Sequence, residues 1–168
     1  SLNTFHPAPE SDYLMERHLG DGFQLVFNII NQRARNVIEK AASLGYGVIA
    51  RMPLQFGLLT GRLTKETTFS PNDHRSFRLS KEILDKAIDA LHDVWLLADE
   101  KKISKTTLAI SFCVNVPGIS TVIPGIKTPT QAEENTTVAH LSSEEMKRIT
   151  ALYPQRFEPI VSLMEKQG

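Results

Sequence analysis

Three short runs, Phe23 to Ile29 (FQLVFNI), Gly47 to Met52 (GVIARM) and Thr121 to Pro124 (TVIP), are densely apolar instead of alternating apolar with polar. Dense runs are how strands of a parallel sheet read when both faces are covered. Helical patterns separate them, and strands that alternate with helices over short connections form right-handed parallel units. The chain therefore belongs to an open doubly wound sheet or to a closed (β/α)8 barrel. In both, the chemistry sits beyond the carboxyl ends of the strands.

The helices announce themselves locally. Residues 9 to 18 form one pattern ending at Gly20, and residues 34 to 44 carry Val37, Ile38, Ala41, Ala42 and Leu44 before Gly45, which suits a left-handed terminus. The longest helix spans Ser80 to about Lys101, with Ile83, Leu84, Ala87, Ile88, Leu91, Trp95 and Leu96 on one stripe. Ser104 caps a helix that Pro117 and Gly118 terminate. Thr128 and Gln131, then Ser142 and Glu145, have capping-box spacing, Pro129 stands at a first helical position, and a last helix occupies roughly 157 to 166. Pro53 to Leu79 is too long for a plain connection and reads as a lid, a binding loop, a disordered segment or a solvated loop of mixed charge, with partial order suggested by Phe69, Pro71, Asp73, His74 and Arg75.

Three strands cannot close a barrel, and a lone three-stranded sheet leaves two edges unpaired. About five more units of ~30 residues would be needed, giving a chain inside the usual barrel range of ~200 to 400. With 168 residues, the chain is one domain or one piece of a larger one. Its 19 basic and 19 acidic residues cancel, which argues against bulk electrostatic binding to nucleic acid or to an anionic membrane. The single cysteine, Cys113, excludes an internal disulfide and a multi-thiolate metal site and fits a reducing, cytoplasmic setting. Neither a membrane-spanning stretch nor a signal pattern is visible.

Beyond the strand ends, four motifs stand in order: Ser1-Leu2-Asn3-Thr4-Phe5, Gln24-Leu25-Val26-Phe27-Asn28, the run from Val48 through Arg51-Met52-Pro53-Leu54 to Gly61, and the run from Val122 through Gly125-Ile126-Lys127-Thr128-Pro129 to Asn135. Together they resemble the C-terminal half of aldo-keto reductases over nearly the whole chain. The resemblance implies the C-terminal part of a (β/α)8 TIM barrel, α/β in class, with strands six to eight and their helices in residues 1 to 168, incomplete as given. It also implies NADP as cofactor at the barrel mouth and reduction of a small-molecule carbonyl to an alcohol.

Position by position, Ser1 and Gln24 fall where the family holds the nicotinamide carboxamide, while Leu2 stands where the family usually has Asn. Arg51 replaces the aromatic residue that commonly stacks on the nicotinamide ring; a guanidinium plane also stacks but carries charge. Met52, Pro53, Leu54 and Gly57 match the loop around the pyrophosphate, with Thr60 and Arg62 on its far side. Lys127 and Thr128 match the contact to the adenosine 2′-phosphate, and Gln131, Glu134 and Asn135 the residues at the adenosine end.

The family's catalytic Asp, Tyr, Lys and His belong to earlier strands, and none of the five histidines or three tyrosines here occupies those positions. No catalytic residue and no metal ligand is therefore assigned. Taken singly, Gly57 and Gly61 are turn residues, Lys127 is a solvated charge, Gln131 and Glu134 belong to a capped helix, and Trp95 and Cys113 are core; only the joint pattern reads as a site. GxGxxG, P-loop, HExxH, CxxC and GxSxG motifs are absent. The leading expectation is the cofactor-binding half of an NADP-dependent reductase without its catalytic tetrad. The other is a non-catalytic nucleotide-binding regulatory or partner subunit. The sheet would be completed by a missing N-terminal half or by a second copy.

Overall fold

The computed structural model describes residues 1–167. Three parallel strands, β1 (Gly22–Val26), β2 (Gly47–Arg51) and β3 (Thr121–Ile123), lie in that order, with Phe23 opposite Val48, Leu25 opposite Ala50 and Ala50 opposite Val122. Helices α1 (Pro7–Glu16), α2 (Arg35–Ser43), α3 (Arg75–Arg78), α4 (Lys81–Lys101), α5 (Lys105–Val114), α6 (Pro129–Thr136), α7 (Ser143–Leu152) and α8 (Glu158–Gln167) surround it.

Local capping chemistry sets the starts of α4, α5, α6 and α7. Ser80, Ser104, Thr128 and Ser142 each accept a hydrogen bond from the backbone N–H three residues on, and Ser142 with Glu145 completes the reciprocal box. Helix α1 begins earlier than its apolar pattern suggests, because Pro7 is itself a favourable first helical residue. Strand β1 ends at Val26, three residues short of the apolar run. There the Asn28 side chain accepts from the amides of Ile30 and Asn31 at 2.9 and 2.8 Å, folding the chain into a turn that the strand ladder cannot follow. Helices α7 and α8 are joined by a π turn over Tyr153–Phe157, with Pro154 inside it and Pro159 at the second position of α8, neither of which has an N–H to continue the ordinary ladder.

The two faces of the sheet differ. Phe23, Leu25, Val48 and Ala50 point to the helices and are at most 5% exposed; Phe27 beyond β1 stacks on Phe112 of α5, with ring centroids 5.8 Å apart. The opposite face carries Gln24, Ile49, Arg51, Thr121 and Ile123, and Ile49 and Ile123 are 36% and 43% exposed. The expectation of strands covered on both faces is thus met on one face only. A dense apolar run reports that cover is needed, and on the second face the described residues bury Val26 at the end of β1 but leave Ile49 and Ile123 exposed. No helix among the described residues is long and apolar enough to cross a membrane.

Pro53 to Leu79 is ordered. It begins with a 3-10 turn over Gln55–Thr60 and ends in α3. Between them Arg75 grips Asp73 at 2.5 Å and lies over the Phe69 ring, while Lys65 reaches Asp89 of α4 at 2.6 Å.

Candidate functional site

A groove of about 510 Å³ opens beyond the carboxyl ends of β2 and β3. One wall is the turn after β2. Met52, Gln55 and Phe56 have positive φ, as do Gly57 and Gly61. Non-glycine residues in this region are strained, and such strain persists where surrounding contacts over-determine the backbone, often at ligand clamps. The determining contacts are visible. Buried Asn28 donates to the Met52 carbonyl at 2.9 Å and to Gln55 Oε1 at 2.8 Å, and the Gln55 amide donates to Met164 Sδ of α8 at 3.2 Å. The turn after β2 is therefore held from β1 on one side and α8 on the other. At Gly57 an added Cβ would face Arg75 Nη1 at 3.9 Å across the groove, so the missing side chain keeps that space free.

The second wall is the start of α6. Thr128 caps the helix by accepting from Gln131 N–H, Pro129 follows at its first position, and Gln131 Oε1 accepts from Lys127 N–H at 2.8 Å. Asn135, inside the same helix, donates to the Gly125 carbonyl at 3.3 Å and fixes the approach from β3. The helix terminus presents positive dipole to whatever lies in the groove. Arg62 from the turn wall meets Glu134 of α6 at 3.2 Å, and Ser104 donates to the other oxygen of Glu134 at 3.1 Å, so one carboxylate ties both walls to the start of α5.

Charge in the groove is unevenly balanced. Arg62 is paired with Glu134 and Arg75 with Asp73, whose carboxyl is held well below its ordinary range by the Arg75 side chain and then by the Arg75 backbone N–H. Lys127 is exposed and enters no ion pair among the described residues. The groove thus has one uncompensated cation at a helix N-terminus, opposite a glycine-bearing turn. That arrangement suits an anionic ligand.

Of the residues singled out in the sequence, the groove gathers Met52, Pro53, Leu54, Gly57, Thr60, Arg62, Lys127, Gln131, Glu134 and Asn135. Thr128 stands beside it as the helix cap. Three lie elsewhere. Gln24 and Arg51 sit on the open face of the sheet, with Arg51 adjoining the groove through Met52, and Ser1 lines a separate open cavity of about 580 Å³ between α1 and β1. The sequence reading missed Gln55, Phe56, Leu63, His74, Arg75, Thr106, Gly125 and Ile126, which also line the groove. His74 packs edge-on to Phe56 with centroids 5.6 Å apart. Gln55, Phe56, Gly125 and Ile126 stood inside the motifs already named, and the length and polarity of the 53 to 79 segment pointed towards Leu63, His74 and Arg75.

A second polar cluster pins α8 over this end of the sheet. Arg33, in the connection after β1, donates to Glu158 at 2.6 Å, to Glu165 at 2.6 Å and to Ser162 at 3.0 Å; His6 also pairs with Glu165, and the Tyr153 hydroxyl donates to Glu158. Burial raises the Tyr153 hydroxyl, and the neighbouring Glu158 raises it further. Burial works against ionisation of Glu158, but the bonds from Arg33 and Tyr153 outweigh it and its pKa falls; the Arg33 bond lowers that of Glu165. Cys113 is fully buried, and burial pushes its thiol far above the usual range, so it is packing and not a nucleophile. No group of three or more metal-ligating side chains occurs among the described residues.

Comparison with known proteins places this geometry. Residues 22–154 match the family model described as Aldo/keto reductase family. The chain is 27% identical over 96 residues to a protein named probable voltage-gated potassium channel subunit beta from Arabidopsis thaliana, an alignment covering 54% of this chain and 29% of that protein. It is 28% identical over 120 residues to aldo-keto reductase str7 from Strobilurus tenacellus, covering 69% and 36%. The solved glycerol dehydrogenase from Gluconobacter oxydans superposes with a TM-score of 0.73 at 22% identity, over 83% of this chain and 45% of that one. An aldo-keto reductase from Bacillus halodurans gives 0.61 at 19%, over 86% and 48%. The chain spans about a third of the length of the named relatives and a little under half of those structures.

Proposed function

The chain belongs to the aldo/keto reductase family, and from that premise we propose that it is the cofactor-holding, C-terminal part, barrel strands six to eight, of an NADP-dependent oxidoreductase that reduces a carbonyl to an alcohol. The observation that carries this reading is the groove itself, where Lys127, free of any carboxylate partner among the described residues, stands at the capped start of α6 opposite the Gly57 turn. Lys127 and Thr128 would hold the 2′-phosphate by charge, hydroxyl and helix dipole. Met52, Pro53, Leu54, Gly57, Thr60 and Arg62 would line the pyrophosphate, and Gln131, Glu134 and Asn135 the adenosine. Arg51 directly precedes groove-lining Met52 and shares a sheet face with Gln24, and the nicotinamide end would lie on that face.

When bound, such a cofactor supplies the reducing power; this chain's residues bind, orient and screen it. The tetrad that activates the carbonyl would come from a separate N-terminal half that also covers the open face of the sheet. We place the whole protein in the cytoplasm, with a small carbonyl compound as substrate.

A second reading has its own support: two relatives, from Arabidopsis thaliana and Oryza sativa, are named potassium channel subunits beta. On that reading the groove holds a nucleotide and the protein acts as a regulatory partner. Fluorescence titration of the whole protein with NADPH and NADH, followed by NADPH oxidation with an aldehyde panel, separates the two. Tight NADPH binding with turnover supports the reductase, binding without turnover the regulator, and absence of NADPH binding refutes both. The 168-residue chain alone should show no turnover above background.

A further inference from the structure

No described residue of α8 lines the groove, yet the helix is bonded to two segments that do. Met164 Sδ accepts from the Gln55 side-chain amide at 3.2 Å, and Gln167 donates to the Phe77 carbonyl of α3, the helix that carries groove-lining Arg75. Gln55 Oε1 in turn accepts from Asn28 Nδ2 at 2.8 Å, and the same Asn28 amide donates to the Met52 carbonyl at 2.9 Å. Asn28, Gln55 and Met164 are 0%, 3% and 6% exposed, so these bonds are internal to the chain. They close on the stretch where Met52, Gln55, Phe56 and Gly57 hold left-handed φ. A strained turn relaxes once the contacts that fix it are removed. Only a fraction of the molecules then presents the shape that binds, and apparent affinity falls by that fraction.

We propose that Gln55 is a positioning residue for the cofactor and that, through its bond to Met164, docking of α8 and binding of the cofactor are coupled. The proposal rests on the cofactor reading for the identity of the ligand. Coupling is reciprocal: whatever factor an undocked α8 takes from cofactor affinity, the bound cofactor returns to the docking of α8. A contact to the 2′-phosphate acts on NADPH alone, whereas the shape of the turn is felt by any dinucleotide. Loss of the hold on Gln55 therefore weakens NADPH and NADH by the same factor.

The test uses the whole protein, with fluorescence titration of NADPH and NADH and with hydrogen exchange read by mass spectrometry. Met164→Leu nearly keeps the side-chain volume but removes the acceptor, leaving the buried Gln55 amide unpaired. Asn28→Asp keeps the oxygen that accepts from Ile30 and Asn31 and turns the donor into a second acceptor facing the Met52 carbonyl and Gln55 Oε1. Each variant should weaken both dinucleotides equally, by about 3- to 10-fold for Met164→Leu and further for Asn28→Asp. In the wild type NADPH should slow exchange across residues 158–167 by about threefold or more, and in Met164→Leu that protection should shrink. Gly45→Ala strains the left-handed turn before β2, at the opposite end of the sheet, and controls for lost stability; it should bind as the wild type does. Wild-type affinity in both variants, an equal loss in Gly45→Ala, or α8 exchange that bound NADPH leaves unchanged would overturn the proposal. Failure of the wild type to bind either dinucleotide sinks the cofactor reading and this proposal with it; binding without protection of α8 sinks this one alone.

Discussion

Replacing Arg33 by Met cuts the link between the turn after β1 and α8. Arg33 makes three contacts with Glu158 between 2.6 and 3.3 Å, and the side chains of the pair are 16% and 35% exposed. Fully exposed pairs contribute ~0.2 to 1 kcal/mol, and removing one partner of a fully buried pair costs ~3 to 5 kcal/mol. The intermediate burial here places the loss at about 2 kcal/mol. For a whole barrel of roughly 300 residues that corresponds to a fall in melting temperature of about 3 °C.

The pH dependence follows from direction. Because the folded-state pKa of Glu158 is depressed, the stabilisation is fully present above its unfolded value of about 4.3 and is lost as pH falls through the depressed folded value. Thermal melts of the wild type and Arg33→Met, in the whole protein, should therefore differ at pH 7 and converge as the pH drops below the carboxylate range. A cycle with Glu158→Gln isolates the pair, with an expected coupling above about 1 kcal/mol. A melting temperature unchanged at pH 7, or a gap that stays constant through the acid range, would refute the reasoning. Since Met164 of α8 accepts from Gln55 in the groove turn, NADPH affinity should fall together with stability.

Lys127→Ala should weaken NADPH about 5- to 30-fold and leave NADH nearly unchanged, as expected for one charge-assisted phosphate contact at an exposed site; equal losses for both, by fluorescence titration, would remove the case for NADP. Gly45 and Gly118 both have left-handed φ, but an added Cβ meets nothing within 4 Å at Gly45 and lies 2.8 Å from the Ala42 Cβ at Gly118. Gly45→Ala should cost about 1 kcal/mol by chemical denaturation and Gly118→Ala about 2 kcal/mol more, because overpacking adds to the strain. The Cys113 thiol, buried and shifted upward, should react with a disulfide reagent only after denaturation; fast native-state labelling would contradict its burial.

Residues three apart in the chain determined the starts of α4 to α7, and they were legible because a serine or threonine meets the amide three positions on within one turn, whatever the rest of the fold does. The same holds for the three strands, whose apolar density depends only on what must be kept from water. The two groove walls were legible as well, since each is a short contiguous motif.

What the sequence did not determine alone depends on groups far apart along the chain. Gln55 bonds to Met164, 109 residues away, and Arg33 to Glu158, 125 residues away; His74 reaches the groove only because the loop carrying it folds back over Phe56. The tertiary structure also decided which face each strand residue takes, with Phe23, Leu25, Val48 and Ala50 against the helices and Gln24, Ile49, Arg51, Thr121 and Ile123 on the other side. Local hydrogen bonds and hydrophobicity act over a few residues and leave their mark in the order of the letters, whereas burial and charge pairing are properties of neighbours in space that only folding selects.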